Sequence, residues 1–74
     1  MMKIVLIGAG NVGHHLGLAL HDVGENVVQV FSRTMEKAEH LAGKIDAKPC
    51  TKLKKIKTNA DLYIIAIKDD GILS

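Results

Sequence analysis

The chain of 74 residues contains very little cysteine, proline or aromatic residue. Because Cys50 is the sole cysteine, an internal disulfide bond and a metal site made only of cysteines are excluded, and a reducing, cytoplasmic location is expected. Aromatic residues make up 3%, so the core must be built from Val, Ile, Leu and Ala. No apolar run approaches the roughly 20 residues that a membrane span needs, so no membrane partner is expected.

A strong excess of charge of one sign is also lacking, because the net charge is +2. This balance is too mild to indicate binding to nucleic acid. Several lysines cluster within residues 52–57, but no aromatic residue lies among them, so we interpret the cluster as a solvated connection. With 47% hydrophobic residues, the chain is expected to fold as one small domain.

Apolar patterning alternates between short strand-like runs and amphipathic segments. Four strands are predicted, at residues 3–7, 27–31, 46–51 and 61–67. Pro49 places the third strand at a sheet edge, because proline donates no ladder hydrogen bond. Two helices separate the first three strands, and a short basic crossover at residues 52–58 leads to the fourth. This alternation predicts an α/β fold, a Rossmann-like parallel sheet in the order 3-2-1-4 with flanking helices.

The apolar spacing also predicts the buried helix faces and the helix ends. The stripe of the first helix is Val12, Leu16, Ala19, Leu20 and Val23, and that of the second is Met35, Ala38, Leu41 and Ala42. Gly24 and Gly43 are expected to end the two helices, and Thr34 is the predicted N-cap of the second.

The last residues, 72–74, are typical of the start of a further helix, and the fourth strand would lie uncovered on one side. We therefore expect residues 1–74 to be the N-terminal part of a longer protein. The alternative is a complete small domain that closes its exposed sheet edge by dimerising.

A glycine-rich turn, Gly8-x-Gly10-x-x-Gly13, follows the first strand and opens the first helix, the context in which this spacing binds a dinucleotide. Gly8 permits the sharp turn, Gly10 lets a pyrophosphate approach the backbone, and Gly13 lets the helix lie close to the strand. The helix N-terminus offers unpaired N–H groups and the positive end of its dipole to phosphates. A glycine turn that binds no ligand is the alternative.

The residues after the second strand indicate which dinucleotide is bound. NAD-selective sites place an acidic residue about 20 residues beyond the glycine turn, but this chain has Ser32-Arg33-Thr34 there. Hydroxyl groups and a guanidinium, with Lys37 one turn later, favour a ribose 2′-phosphate and therefore NADP(H). The missing acid also argues against S-adenosylmethionine. A solvated Arg33 beside a purely capping Thr34 is the alternative.

Three segments, MKIVLIGAGNVG at residues 2–13, FSRT at 31–34 and YIIAIKDD at 63–70, together resemble the NADP-binding domain of the pyrroline-5-carboxylate reductase-like group. That group includes coenzyme F420-dependent NADP reductase-type domains. The resemblance implies an NADP-dependent oxidoreductase that transfers hydride between NADP(H) and a small imine or carbonyl substrate. Asp69 and Asp70 follow Lys68 where the reductases often have proline, which argues against a proline-forming activity. In this group a helical C-terminal domain, absent from these residues, supplies the substrate pocket and the homodimer contacts.

The resemblance also implies which positions hold the cofactor. The pyrophosphate would be held by Gly8, Gly10, Asn11, Val12 and Gly13, and the 2′-phosphate by Ser32, Arg33 and Thr34. The backbone of Ala66, Ile67 and Lys68 would line the cofactor between its ribose and its nicotinamide. A non-catalytic, dinucleotide-sensing regulatory domain is the alternative function, although such domains usually carry an acid after the second strand.

No catalytic residue and no metal site is indicated by the sequence. His14 and His15 are adjacent on a helix and therefore point about 100° apart, which prevents them from chelating one ion. We expect these histidines on the exposed helix face. Cys50 is interpreted as a packing residue, and Asp69 and Asp70 as helix caps.

Overall fold

The computed structural model describes residues 2–66, which form a four-stranded sheet and two helices. The elements in chain order are β1 (Lys3–Ile7), α1 (Asn11–Asp22), β2 (Asn26–Phe31), α2 (Met35–Ile45), β3 (Lys48–Cys50), a short 3₁₀ turn (Leu53–Lys55) and β4 (Leu62–Ile65). The strand order is β3-β2-β1-β4 and every neighbouring pair is parallel. The predicted Rossmann-like α/β topology is therefore confirmed.

The main core lies between the sheet and the two helices. Ile4 and Leu6 of β1 and Val30 of β2 meet Leu41 and Ile45 of α2 there, and all five side chains are buried. Aliphatic side chains of this size each contribute about 1.5–3 kcal/mol when fully removed from water. The core is thus aliphatic, as the scarcity of aromatic residues requires.

The predicted apolar stripe of α1 is only partly correct. Val12 and Val23 are 61% and 74% exposed, Ala19 is exposed as well, and the buried positions of the helix are Gly13 and Gly17. A Cβ on Gly17 would lie 3.1 Å from a methyl carbon of Leu6 and 3.1 Å from one of Leu41. Because the two glycines bring the helix close to the sheet, Leu16 and Leu18 pack against the core on either side of Gly17. The apolar spacing alone does not indicate this arrangement.

The predicted end of α2 at Gly43 is wrong, because the helix continues to Ile45. Burial of Ile45 in the core supports the two additional residues, and Asp46 then takes the left-handed conformation (φ 57°) that ends the helix. The first helix ends as predicted, with Gly24 at φ 87° just after its last turn. Thr34 is the N-cap residue of α2, although its side chain makes no capping hydrogen bond.

The chain that leads from β3 to β4 contacts the sheet at Gln29 of β2. Gln29 of β2 is 7% exposed, and its side-chain amide donates to the Lys55 carbonyl (3.0 Å) and accepts from the Lys57 N–H (2.9 Å). Because both polar ends of a buried amide are satisfied by backbone, the crossover is fixed to the sheet at this point.

The two edge strands differ from their predicted lengths and burial. β3 lies at the sheet edge, as Pro49 predicts, but it has three residues instead of six. The prediction of a buried fourth strand is wrong: Leu62, Tyr63 and Ile65 are exposed, and only Ile64 is half-buried. Within residues 2–66, β4 pairs with β1 on one side alone. None of the helices in this range is long and apolar enough to cross a membrane.

Candidate functional site

The carboxyl ends of the four strands are joined by backbone hydrogen bonds along one edge of the sheet. The Gly8 N–H donates to the Phe31 carbonyl (2.7 Å), and the Ala66 N–H donates to the Ile7 carbonyl (2.8 Å). In the same direction across the sheet, the Ser32 N–H donates to the Cys50 carbonyl (2.9 Å). The chain leaves β1 at the centre of this edge, between β2 and β4, where open α/β sheets bind their ligands.

The glycine turn has the backbone geometry that its sequence predicts. Gly8 has φ 113°, a left-handed conformation that side chains rarely tolerate, and it directs the chain from β1 into the turn. A Cβ on Gly13 would lie only 2.0 Å from the Gly8 carbonyl oxygen, so no other residue fits at position 13 without a backbone shift. The predicted close contact of helix and strand is therefore confirmed.

The first turn of α1 faces open space. Gly10 is the N-cap residue, it is exposed, and a Cβ built on it would have no atom within 4 Å. The first hydrogen bond of the helix runs from the His14 N–H to the Gly10 carbonyl (2.7 Å), so the N–H groups of Asn11, Val12 and Gly13 have no carbonyl partner within the helix. Three donors, an uncapped end and an open approach together fit a pyrophosphate.

The second predicted group follows β2. Ser32 is buried, and its hydroxyl oxygen lies 3.5 Å from the Thr34 N–H, at the outer limit of a hydrogen bond. Arg33 and Thr34 are exposed immediately before α2 begins. The Arg33 side chain is thus accessible to an anion at the carboxyl ends of the strands, and the role of Ser32 at the 2′-phosphate stays a prediction.

The third predicted group is only partly within the described residues. Ala66 lies at the site, because its carbonyl oxygen would be 3.6 Å from a Cβ on Gly13. Ile67 and Lys68 lie outside the described residues, as do Asp69 and Asp70 with their predicted capping role. The structure therefore brings the glycine turn, the end of β2 and the start of the third group to one edge.

The histidines of α1 are not all on a solvated face. The His14 ring stacks on His40 of α2, with centroids 5.4 Å apart and planes at 18°, while His15 meets His14 edge to face. Partial burial lowers the pKa of His14 below its ordinary value, and nearby positive charge lowers it further, from Lys44, His40 and His15. Among residues 2–66, no group of three or more His, Cys, Asp or Glu side chains is arranged to hold a metal ion.

This imidazole pair makes stability depend on pH. Because the pKa of His14 is lower in the folded protein, the unfolded chain takes up the proton first as pH falls through about 6.5. We expect the urea midpoint of wild-type unfolding to fall when the pH is lowered from 8 to 5.5. The midpoint of His14→Gln should fall less over the same range. The control is His21→Gln, which alters an exposed histidine at the other end of α1. Its urea midpoint should change with pH as much as that of wild type. If the urea midpoint of His14→Gln changes with pH as much as that of wild type, the lowered pKa of His14 is not the source of the pH dependence.

One arrangement near the site has no signal in the sequence. The Cys50 thiol is buried and donates to the Lys52 carbonyl (3.0 Å), so it does more than fill space. A groove of about 360 Å³ runs from the first residue of α2 along β3 to the crossover. Its wall carries three lysines, Lys48, Lys52 and Lys55, which all come from β3 and the segment that leads from it through the 3₁₀ turn.

The geometry described above defines a Rossmann domain with a dinucleotide-type glycine turn. A family described as NADP oxidoreductase coenzyme F420-dependent matches residues 3–72. The chain belongs to this family.

Individual relatives agree with this assignment. A solved Bacteroides fragilis structure, of a protein classed provisionally as an NADP oxidoreductase, is 45% identical with a TM-score of 0.88, over 96% of this chain and 27% of that one. A glutamyl-tRNA reductase of Sulfurisphaera tokodaii is 38% identical over 71 residues, which are 93% of this chain and 17% of the relative. That of Paenibacillus macerans is 32% identical over 63 residues, 85% of this chain and 14% of the relative. The chain thus spans less than a fifth of these reductases.

Proposed function

We propose that this chain is the cofactor-binding part of an oxidoreductase that transfers hydride between NADP(H) and a small imine or carbonyl substrate. The observation that carries the proposal is the pairing, at one sheet edge, of an open helix N-terminus with an exposed Arg33 where NAD-selective sites have an acid. The first element suits a pyrophosphate, and the second suits a ribose that bears a 2′-phosphate.

Each end of the dinucleotide would meet a different part of this edge. The N–H groups at the start of α1 would hold the pyrophosphate, and Gly10 would allow it to approach the backbone. Arg33 would pair with the 2′-phosphate, with help from the Thr34 hydroxyl at the start of α2. The backbone from Ala66 onward, with Ile67 and Lys68, would lie against the cofactor on the side of β4. When bound, the nicotinamide supplies the hydride chemistry, and the residues of this chain bind and orient it.

The substrate and the partners are further parts of the proposal. The similarity to two glutamyl-tRNA reductases supports a reductase activity. Because these relatives are much longer than this chain, we propose that residues outside it bind the substrate. We propose that a helical C-terminal domain supplies the substrate pocket and homodimer contacts, and that the protein works in the cytoplasm. Membership of the pyrroline-5-carboxylate reductase-like subgroup stays a prediction.

Gly10→Ala tests the pyrophosphate site separately from the fold. The new methyl group meets no protein atom, so we expect stability to change by less than about 1 kcal/mol, the cost of alanine at an N-cap. It would project toward the bound pyrophosphate, so we expect NADPH and NADH to bind about tenfold more weakly, as measured by calorimetry. Unchanged affinity for both would contradict the proposed site.

Steady-state NADPH oxidation by the intact protein, with a panel of imines and ketones, tests the catalytic part. We expect turnover with at least one class of substrate. Tight binding without turnover across the panel would instead favour the dinucleotide sensor.

A further inference from the structure

The groove beside β3 lies next to the proposed 2′-phosphate site. Met35, the first residue of α2, lines one end of it, directly after Arg33 and Thr34 in the chain. Lys52 and Thr51 line the same groove from the segment that follows β3. The two segments are joined because the Ser32 N–H donates to the Cys50 carbonyl, one position beyond the last strand pair.

The backbone of Lys52 is held in place at this junction. Its carbonyl oxygen accepts from the buried Cys50 thiol (3.0 Å) and from the Lys55 N–H (3.0 Å). The Gln29 amide then fixes Lys55 and Lys57, so the turn that follows Lys52 is anchored to β2. The starting point of the lysine side chain is therefore fixed relative to the end of β2, although its ammonium group is exposed.

The groove has an electrostatic character that suits an anion. Among the described residues that line it there are three lysines and no carboxylate: Lys48, Lys52 and Lys55. Of these, Lys52 follows the carboxyl end of β3, and Lys48 lies at the start of that strand. Lys52 is thus the lysine of the groove nearest in strand register to Arg33.

We propose that Lys52 is a specificity-determining residue, which places its ammonium group on the 2′-phosphate opposite the guanidinium of Arg33. The inference rests on the proposed function, because it names a further cation, besides Arg33 and the predicted Lys37, for the same phosphate. Cys50 acts on this site only as a positioning residue, through the Lys52 carbonyl. A site that places Lys52 on the 2′-phosphate as well would favour NADPH over NADH more strongly than a site without this lysine.

Lys52→Ala in the intact protein tests this assignment, with Lys54→Ala as the matched control. Lys54 lies in the 3₁₀ turn that Lys52 precedes, is exposed, and is not among the residues that line the groove. By calorimetry, we expect Lys52→Ala to weaken NADPH binding about three- to tenfold and to leave NADH within about twofold. Lys54→Ala should leave both affinities at the wild-type value, and Lys52→Arg should restore most of the loss.

The outcomes separate this inference from the proposed function. If wild type binds NADPH and NADH equally, the proposed cofactor preference fails. If wild type prefers NADPH but Lys52→Ala changes neither affinity, or weakens both equally, the preference stands and the role of Lys52 is refuted. Equal losses in Lys52→Ala and Lys54→Ala would also refute it, because they would indicate a general effect of charge.

Discussion

Replacing Arg33 by alanine is expected to weaken NADPH binding by about tenfold or more, while NADH binding stays within about twofold. The reason is that a charge-assisted hydrogen bond contributes about 1.5–3 kcal/mol, and only the phosphorylated ribose accepts one here. Arg33 is exposed, so its loss leaves no buried partner unsatisfied and the fold should be unaffected. Calorimetric titration of wild type and variant with each coenzyme measures the two ratios.

A lysine at the amino ends of the strands, opposite the proposed site, provides the control. Lys3 begins β1, at the amino end of the strands, so Lys3→Ala removes one positive charge without touching the site. It should leave both affinities at the wild-type value in moderate salt. If Arg33→Ala lowers the affinity for both coenzymes equally, the guanidinium does not recognise the 2′-phosphate, and the preference for NADP(H) loses its main support.

Gly13→Ala is expected to destabilise the folded domain by about 3 kcal/mol or more, which is enough to unfold a protein of marginal stability. The added Cβ would lie 2.0 Å from the Gly8 carbonyl oxygen and 2.7 Å from its carbon, so either the helix or the strand must move. Since both contacts are to backbone, no side-chain rotation relieves them. Urea unfolding followed by far-ultraviolet circular dichroism measures the loss.

Gly43→Ala is the matched comparison for this change. Gly43 lies inside α2, and a Cβ built there meets no atom within 4 Å. Alanine is favoured over glycine in a helix interior by about 0.5–1 kcal/mol, so this variant should be more stable than wild type. Similar shifts in the two variants would show that helix propensity, and not the contact with Gly8, governs the effect at position 13.

Much of the fold and part of the site could be predicted from the sequence. The strand order follows from the alternation of apolar runs and helical stripes, and the functions of Gly8 and Gly13 follow from their spacing after β1. These features are local, or they depend on the handedness of parallel connections, so a single sequence contains enough information to predict them.

The remaining features depend on contacts between distant residues. α1 packs on the sheet through Gly13 and Gly17 and leaves Val12 exposed, which the apolar spacing alone does not show. Likewise, α2 continues past Gly43 because Ile45 reaches the core. The hydrogen bonds from Gln29 to Lys55 and Lys57 span 26 and 28 positions of the sequence. No pattern in either segment predicts them.

The contact between α1 and the Gly8 carbonyl has a consequence for the entropy of association. A helix seated directly on a strand cannot tilt or slide, so its free amide groups point in fixed directions before any anion arrives. A mobile loop would lose conformational entropy when it binds a ligand, whereas here the binding groups are already ordered when the domain folds. A preorganised site therefore loses less conformational entropy on binding. The close packing of Gly13 against Gly8 would thereby strengthen the proposed binding of the pyrophosphate, although neither glycine has a side chain to contact it.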